Sequence, residues 1–323
     1  MSSHIIGIDI SKLELMFALF KGHKLFKQQF SNDKTGFKKL HQWLKRHNVN
    51  KAKICMEATG SYSFDIADFL YANDYEVYVV NPMCIKAFSK TTLSRTKTDE
   101  SDAVLIAKYI QKMPASPYKP LPKINHELRY LYRCLDDLKL QQTQVFNHIK
   151  DKHHLPKTVL NTWKSLANNI EKQIANIESS IEILINSDHT LKQNYKNLQT
   201  IPGISKTTAS AILAEIPDIS QFKNARQLAA FIGVTPRQRQ SGSSIKGKAR
   251  LSKVGSVKLR KAIFFPAIVA KNHNPIIKHF CLNLKKRSKN NMLIIGASMR
   301  KLVHIIFAIL KYNTSFDPNL ISL

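Results

Sequence analysis

Four acidic residues stand where a carboxylate is costly or oddly placed. Asp9 lies inside IIGIDIS, flanked by isoleucines, where an unpaired charge on a core strand needs compensation. Glu57 ends the run KICMEATG, where the chain leaves a strand; it could equally cap the helix that follows. Asp99 and Asp102, in RTKTDESDAVLIA, are three apart at the start of a helical pattern, so both project from one face. Capping and the helix dipole also favour acids in a first turn. What tips the balance is convergence: acids from a first strand, a later strand and a closing helix would meet on one side of a sheet. Such a cluster repels itself unless it holds cations. Two Mg²⁺ ions about 4 Å apart stabilise the attacking and leaving oxygens of a phosphodiester displacement, and Mn²⁺, which also takes carboxylate ligands, is the natural substitute.

A second polar cluster occupies TPRQRQSGSSIKGKARLSKVGS, residues 235–256. It holds Arg237, Arg239, Lys246, Lys248, Arg250 and Lys253, no acid, and Ser241, Ser243 and Ser244 around Gly242. By composition it is a flexible basic loop that lies on phosphates. A sharper reading makes one serine a nucleophile toward phosphorus, with neighbouring arginines neutralising the phosphate. No histidine is at hand as a base, so activation would have to come from a metal-bound site elsewhere.

The elements that must position these groups follow from patterning. HIIGIDI, LELMFALF and KLFKQQF read as three strands in a meander. GFKKLHQWLKRH has helical spacing; a strand KICMEA, a helix through FDIADFLYAND, a strand EVYVVNP and a helix from about Thr98 follow. This βββαβαβα order, with a mixed sheet between helices, is that of the ribonuclease H-like fold. Next come two heptad series, Leu128, Leu131, Leu135, Leu138, Val145 and Ile149, then Leu160, Trp163, Ala167, Ile170, Ile174, Ile177, Ile181 and Leu184. They predict an antiparallel helical hairpin or a coiled coil that pairs protomers. In LQTIPGISKTTASAILAEI, Pro202 and Gly203 separate two short helices. A glycine turn at a helix N-terminus can hold a phosphate, as helix-hairpin-helix motifs do, or simply join two helices.

The net formal charge is +28 over 323 residues, and between Asp218 and Asp317 there is no acid against 20 Lys and Arg. A surface of this kind suits a polyanion, since each neutralised phosphate releases counterions. The start MSSHIIGID lacks the pattern of a signal peptide or a lipidation motif, and the longest apolar runs, AIFFPAIVA and IIFAIL, are far shorter than the ~20 residues that span a bilayer. The four cysteines are widely separated, without metal-ligand spacing. Together these predict a soluble, reduced, cytoplasmic protein that acts on nucleic acid and has no membrane partner.

Taken in order, Asp9 in IIGIDISK, Glu57 in MEATGSY, Asp99 and Asp102 in RTKTDESDAVLIA, IPGISKTTA, and GVTPRQRQSGSSIKGKARLSKVG resemble the DEDD transposases of bacterial insertion sequences and the related Piv-type DNA invertases. The resemblance implies a RuvC-like domain over residues 1–123, a coiled-coil hairpin over 124–190 that joins protomers, and a mainly helical transposase domain over 191–323. It implies that Asp9, Glu57, Asp99 and Asp102 are the Mg²⁺ ligands and that Ser241, with Ser243 and Ser244 close by, becomes covalently linked to DNA. The implied partners are donor and target DNA, a structured bridge RNA that pairs with both, and further copies of the chain, dimer to tetramer. An invertase working without RNA, a RuvC-like metal-dependent nuclease and a non-catalytic binding protein are the competing functions. The nuclease would not need the serine loop, and the binding protein would leave the strand acids unexplained.

Overall fold

The computed structural model describes residues 4–91, 98–150, 155–241 and 245–319, with only the backbone at Ser61, 238–241 and 245–249. The chain forms two compact units, Met1–Pro120 and Leu121–Leu323.

In the first unit, strands β1 (His4–Ile10), β2 (Glu14–Lys21) and β3 (Lys24–Ser31) make an antiparallel meander. Helix α1 (Lys34–Arg46) leads to β4 (Ala52–Glu57), which lies parallel to β1; α2 (Phe64–Ala72) leads to β5 (Glu76–Val80), parallel to β4. The sheet order β3-β2-β1-β4-β5 puts β1 at the centre, as the ribonuclease H-like reading requires. Helices α3 (Pro82–Thr91) and α4 (Asp99–Lys112) complete the unit.

Strand alternation divides the sheet into two faces. Ile6, Ile8, Ile10, Ile54 and Met56 pack with Leu40 and Leu44 of α1 and Ile66 and Leu70 of α2. On the other face Cys55, Tyr78 and Val80 meet Ile85 and Phe88 of α3 and Ile106, Tyr109 and Ile110 of α4. Helix α3 is absent from the sequence reading. Of its apolar residues only Ile85 and Phe88 are buried, and its start is marked by Pro82 and by Asn81, whose Oδ1 accepts the Met83 amide at 2.9 Å.

The second unit opens with two long helices, α5 (Lys123–Lys150) and α6 (Lys157–Ser187). They run antiparallel: His148 stacks on Trp163 at a ring separation of 4.5 Å, and Lys139 pairs with Glu178 at 2.7 Å. Leu128, Leu135, Val145, Ala167, Ile170, Ile174 and Ile181 are all buried in one core, with Leu131, Leu138, Ile177 and Leu184 packed against it. The heptad seam is thus filled within the chain. The same core continues through α7 (His189–Gln199), α8 (Lys206–Glu215), α9 (Ala225–Ile232), α10 (Val257–His273), α11 (Pro275–Lys286) and α12 (Asn291–Tyr312).

Two sequence readings change here. The basic serine segment is not simply a loop: Pro236–Ser241 and Ile245–Leu251 form strands β6 and β7 of an antiparallel ribbon. In addition, α12 is long and apolar enough to cross a membrane by length and composition, which the short apolar runs hid because Arg300, Lys301 and His304 interrupt them. Most of it is buried, Ile294, Leu302, Val303, Ile305 and Ile306 lying in the core.

Gly203, between α7 and α8, has φ +108°, and a Cβ there would lie 2.8 Å from the Pro266 carbonyl oxygen of α10. The glycine is required for this backbone conformation and close packing. The next amide, Ile204 N–H, already donates to the Ile201 carbonyl at 3.0 Å.

Candidate functional site

Asp9 is the next-to-last residue of the central strand and shares its face with Ile5 and Gly7. In the adjacent parallel strand Ile8 pairs with Met56, so Glu57 comes level with Asp9 at the strand's carboxyl end and on the same face. Across the meander Asp9 pairs with Met16, and Met16 with Gln29. Asp9, Asp99, Ser11, Glu14, Met16 and Gln29 line one small cleft.

The helical pair of acids is brought in by α4. A Cβ on Gly7 would lie 2.1 Å from the Ala103 carbonyl oxygen and 2.4 Å from the Ala107 amide nitrogen. Backbone therefore meets backbone at this point, and Ala18 beside Gly7, with Ala103 and Ala107 above, is fully buried. Thr98 starts the helix with a reciprocal cap: its hydroxyl accepts the Ser101 amide at 3.2 Å, while its own amide donates to the Ser101 hydroxyl at 2.9 Å. That cap fixes the turn carrying Asp99 and Asp102. The third acid of the segment, Glu100, accepts a 2.8 Å ion pair from Lys27 of β3, exposed on both sides. Sequence reasoning passed over Gly7, although a glycine inside a strand is the usual sign that another backbone approaches closely.

The electrostatics record the convergence. The Asp9 carboxyl is pushed up from 3.8 to about 6, first by burial and then by the charges of Asp102, Asp99 and Glu57, against a hydrogen bond from the Ile10 amide that lowers it. The four predicted acids therefore share one electrostatic neighbourhood. Among the described residues no three His, Cys, Asp or Glu side chains are closed up to metal-ligand spacing. The donor set nevertheless suits a hard divalent cation: four carboxylates, no thiolate or imidazole among them, with one acid already disfavoured as an anion.

The second cluster lies in the other unit, on the ribbon. Arg237 pairs with Arg250, Arg239 with Gly247, Gln240 with Lys246 and Ser241 with Ile245, with a bulge between Arg237 and Arg239. Ser241 thus ends β6 at the ribbon's tip. Arg237, Arg250 and Lys253 are exposed, Lys253 at φ +56°. Lys248 is on β7; Ser243 and Ser244 lie outside the described residues.

Comparison with known proteins follows this division. A transposase family model, that of the DEDD transposases of IS110, matches residues 6–158, and a second, the transposase of the IS116/IS110/IS902 family, matches residues 195–281. The pilin gene-inverting protein of Moraxella bovis is 32% identical over 324 residues, 99% of either chain. The chain belongs to the IS110 family of transposases and DNA invertases. This IS110-family protein is accordingly an enzyme, a DNA recombinase or transposase. The transposase for insertion sequence element IS1111A of Coxiella burnetii is 24% identical over 68% of this chain and 66% of that one. Thermus thermophilus RuvC in complex with Holliday junction substrate aligns at TM-score 0.26 and 12% identity, over 36% of this chain and 100% of that one, which adds nothing to the sheet order. In the IS110-family chain all four acids fall in the first matched segment and the whole ribbon in the second.

Proposed function

We propose that this IS110-family recombinase cuts and rejoins DNA through a covalent phosphoserine intermediate, with Asp9, Glu57, Asp99 and Asp102 as the Mg²⁺ site and Ser241 as the nucleophile. The observation that supports the metal site is the gathering of the acids: Asp9 and Asp99 line one cleft, and the Asp9 carboxyl is pushed up to about 6 by burial and by the charges of Asp102, Asp99 and Glu57. When bound, Mg²⁺ supplies charge neutralisation at the attacking and leaving oxygens. The serine hydroxyl loses its proton as its Oγ–P bond forms. A backbone P–O bond breaks, and the departing sugar oxygen takes up a proton. Bond energy is conserved in the phosphodiester, so a second DNA hydroxyl can displace the serine and rejoin the strands.

Arg237, Arg239, Lys246, Lys248, Arg250 and Lys253 would hold the phosphate backbone near the serine, a contact that positions without reading sequence. Sequence choice would then come from a structured guide RNA, as the family resemblance implies. Protomers would assemble, dimer to tetramer, through faces other than the α5–α6 seam, whose apolar residues are used within the chain. A second reading, site-specific inversion without a guide, draws on the full-length match to the pilin gene-inverting protein. The RNA that copurifies with the protein separates the two.

The test is chemical. Labelled DNA, copurified RNA and Mg²⁺ should yield, after denaturation and digestion, a Ser241 peptide carrying nucleotide. Ser241→Ala should lose the adduct and keep DNA binding. Free DNA ends without any adduct under active conditions would replace the serine with metal-activated water.

A further inference from the structure

Outside the ribbon, the second unit collects cations around one face of α12. Gly296, Arg300 and His304 follow one another at four-residue steps, so they line a single stripe of that helix. The stripe begins beneath the ribbon: a Cβ on Gly296 would lie 3.2 Å from the Leu251 Cδ1 at the end of β7. Helix α9 packs along α12 and contributes Arg226, which is exposed in its first turn. Arg300 Nε and His304 Nε2 are both shielded from solvent and have no hydrogen-bond partner among the described residues. His304 is held below its ordinary range, first by burial, then by the positive charges of Arg300, Lys301 and Arg226.

Like charges gathered around shielded, unpartnered donors cost folding energy unless something compensates them. The surrounding stretch supplies no carboxylate for this: residues 219–316 contain no Asp or Glu. Nearby cations elsewhere are committed. Arg260 donates to the Ile232 carbonyl at 3.0 Å, Lys261 to Asp136 at 3.0 Å, and Lys301 lies over the Phe280 ring at 5.4 Å. Among the described residues no acid or hydrogen-bond acceptor is paired with Arg300 or Arg226, and the core around α12 holds the stripe in place before any ligand arrives. Preorganised guanidinium groups are suited to phosphate oxygens, which they bind in a fork.

We infer that the guanidinium groups of Arg226 and Arg300, backed by the shielded His304, form a second phosphate-binding site, along which a nucleic-acid backbone continues from the base of the β6–β7 ribbon over α12 and α9. This rests on the chain being a recombinase that binds nucleic acid, but not on the serine or the carboxylates. The contact is to the sugar–phosphate backbone, common to DNA and RNA.

The experiment measures affinity of the full chain for duplex DNA and for single-stranded RNA across a salt series. Arg226 is exposed, so Arg226→Gln should fold normally, as its melting curve will show. One lost phosphate contact reduces the slope of log affinity against log salt by about 0.9 on duplex DNA and about 0.7 on a single strand. At 0.1 M salt that is roughly eightfold weaker binding to duplex, fading toward 1 M. Arg226→Lys should restore most of the slope, and Arg226→Gln with Arg300→Gln should deepen the loss. A change on duplex alone assigns the track to DNA, on the single strand alone to RNA, and on both to either backbone. Unchanged slopes on both nucleic acids with Arg226→Gln overturn the inference; formation of the Ser241 adduct is scored separately and is untouched by that result.

Discussion

Replacing Asp9 by Asn should stabilise the metal-free protein, a gain that depends on pH in a determined direction. In the folded state the Asp9 carboxyl sits near 6 instead of 3.8. A raised acid pKa means that folding disfavours the anion. The wild type bears no penalty below about 4, loses stability as pH rises from about 4 to 6, and carries the full penalty above. The difference between 3.8 and about 6 corresponds to roughly 3 kcal/mol. The carboxyl is only about half sequestered, so solvent screening reduces this to about 1 kcal/mol. For a unit of about 120 residues, 1 kcal/mol is roughly 4 °C in melting temperature. Asp9→Asn, which does not titrate, should therefore melt about 4 °C above wild type in EDTA at pH 8 and level with it at pH 4. Added Mg²⁺ should raise the wild type through ligand linkage and leave the variant nearly unmoved, reversing their order. Equal melting temperatures at pH 8, or an equal gain at both pH values, would refute the claim that burial and the neighbouring acids together disfavour the Asp9 anion in the fold.

Three further outcomes follow from packing. Gly7→Ala puts a methyl group against the α4 backbone, 2.1 Å from the Ala103 carbonyl oxygen; it should destabilise by about 1–3 kcal/mol in denaturant titration. By displacing Asp99 and Asp102 it should also slow strand cleavage on the order of 10²-fold. Ile174→Asp buries a charge in the α5–α6 seam and should cost about 3 kcal/mol or more, whereas Ile183→Asp, at a site 69% exposed, should stay within about 0.5 kcal/mol. Equal costs at the two isoleucines, measured by helix melting, would mean that the seam is not the structural one.

The strands and α4 were legible because their signals are local: isoleucine alternation around Asp9, and Thr98 before an apolar helical period. The convergence of the four acids was legible only through element order, which fixes which strand ends are neighbours. Other features left no such trace. PRQRQS has no apolar residue after its proline, and in IKGKARL the residues alternating with the cations include Gly247 and Ala249, too small to mark a strand, so a ribbon held by backbone hydrogen bonds looks like a basic loop. A heptad cannot say whether its partner is the next helix or another protomer, and here Leu135 and Ile174 share a core within one chain. Gly7 was readable in principle, but a missing side chain has no chemistry to draw the eye. The Arg300 and His304 stripe was hidden because a charged residue in a helix reads as solvent-facing until its neighbours are known.

The α5–α6 pair is an arm whose length can change only in discrete steps. Its inner face repeats every seven residues, so adding or removing seven residues in α5 and seven in α6 restores the same contacts one period along. Each such paired change moves the far end by about 10 Å at 1.5 Å per residue, leaving Leu128 and the Arg133–Glu215 pair at its root undisturbed. A change of one or two residues in either helix rotates polar residues into the seam. Members of the family that differ in arm length should therefore differ by matched multiples of seven, and relatives with unmatched insertions should carry them at the far end of the arm.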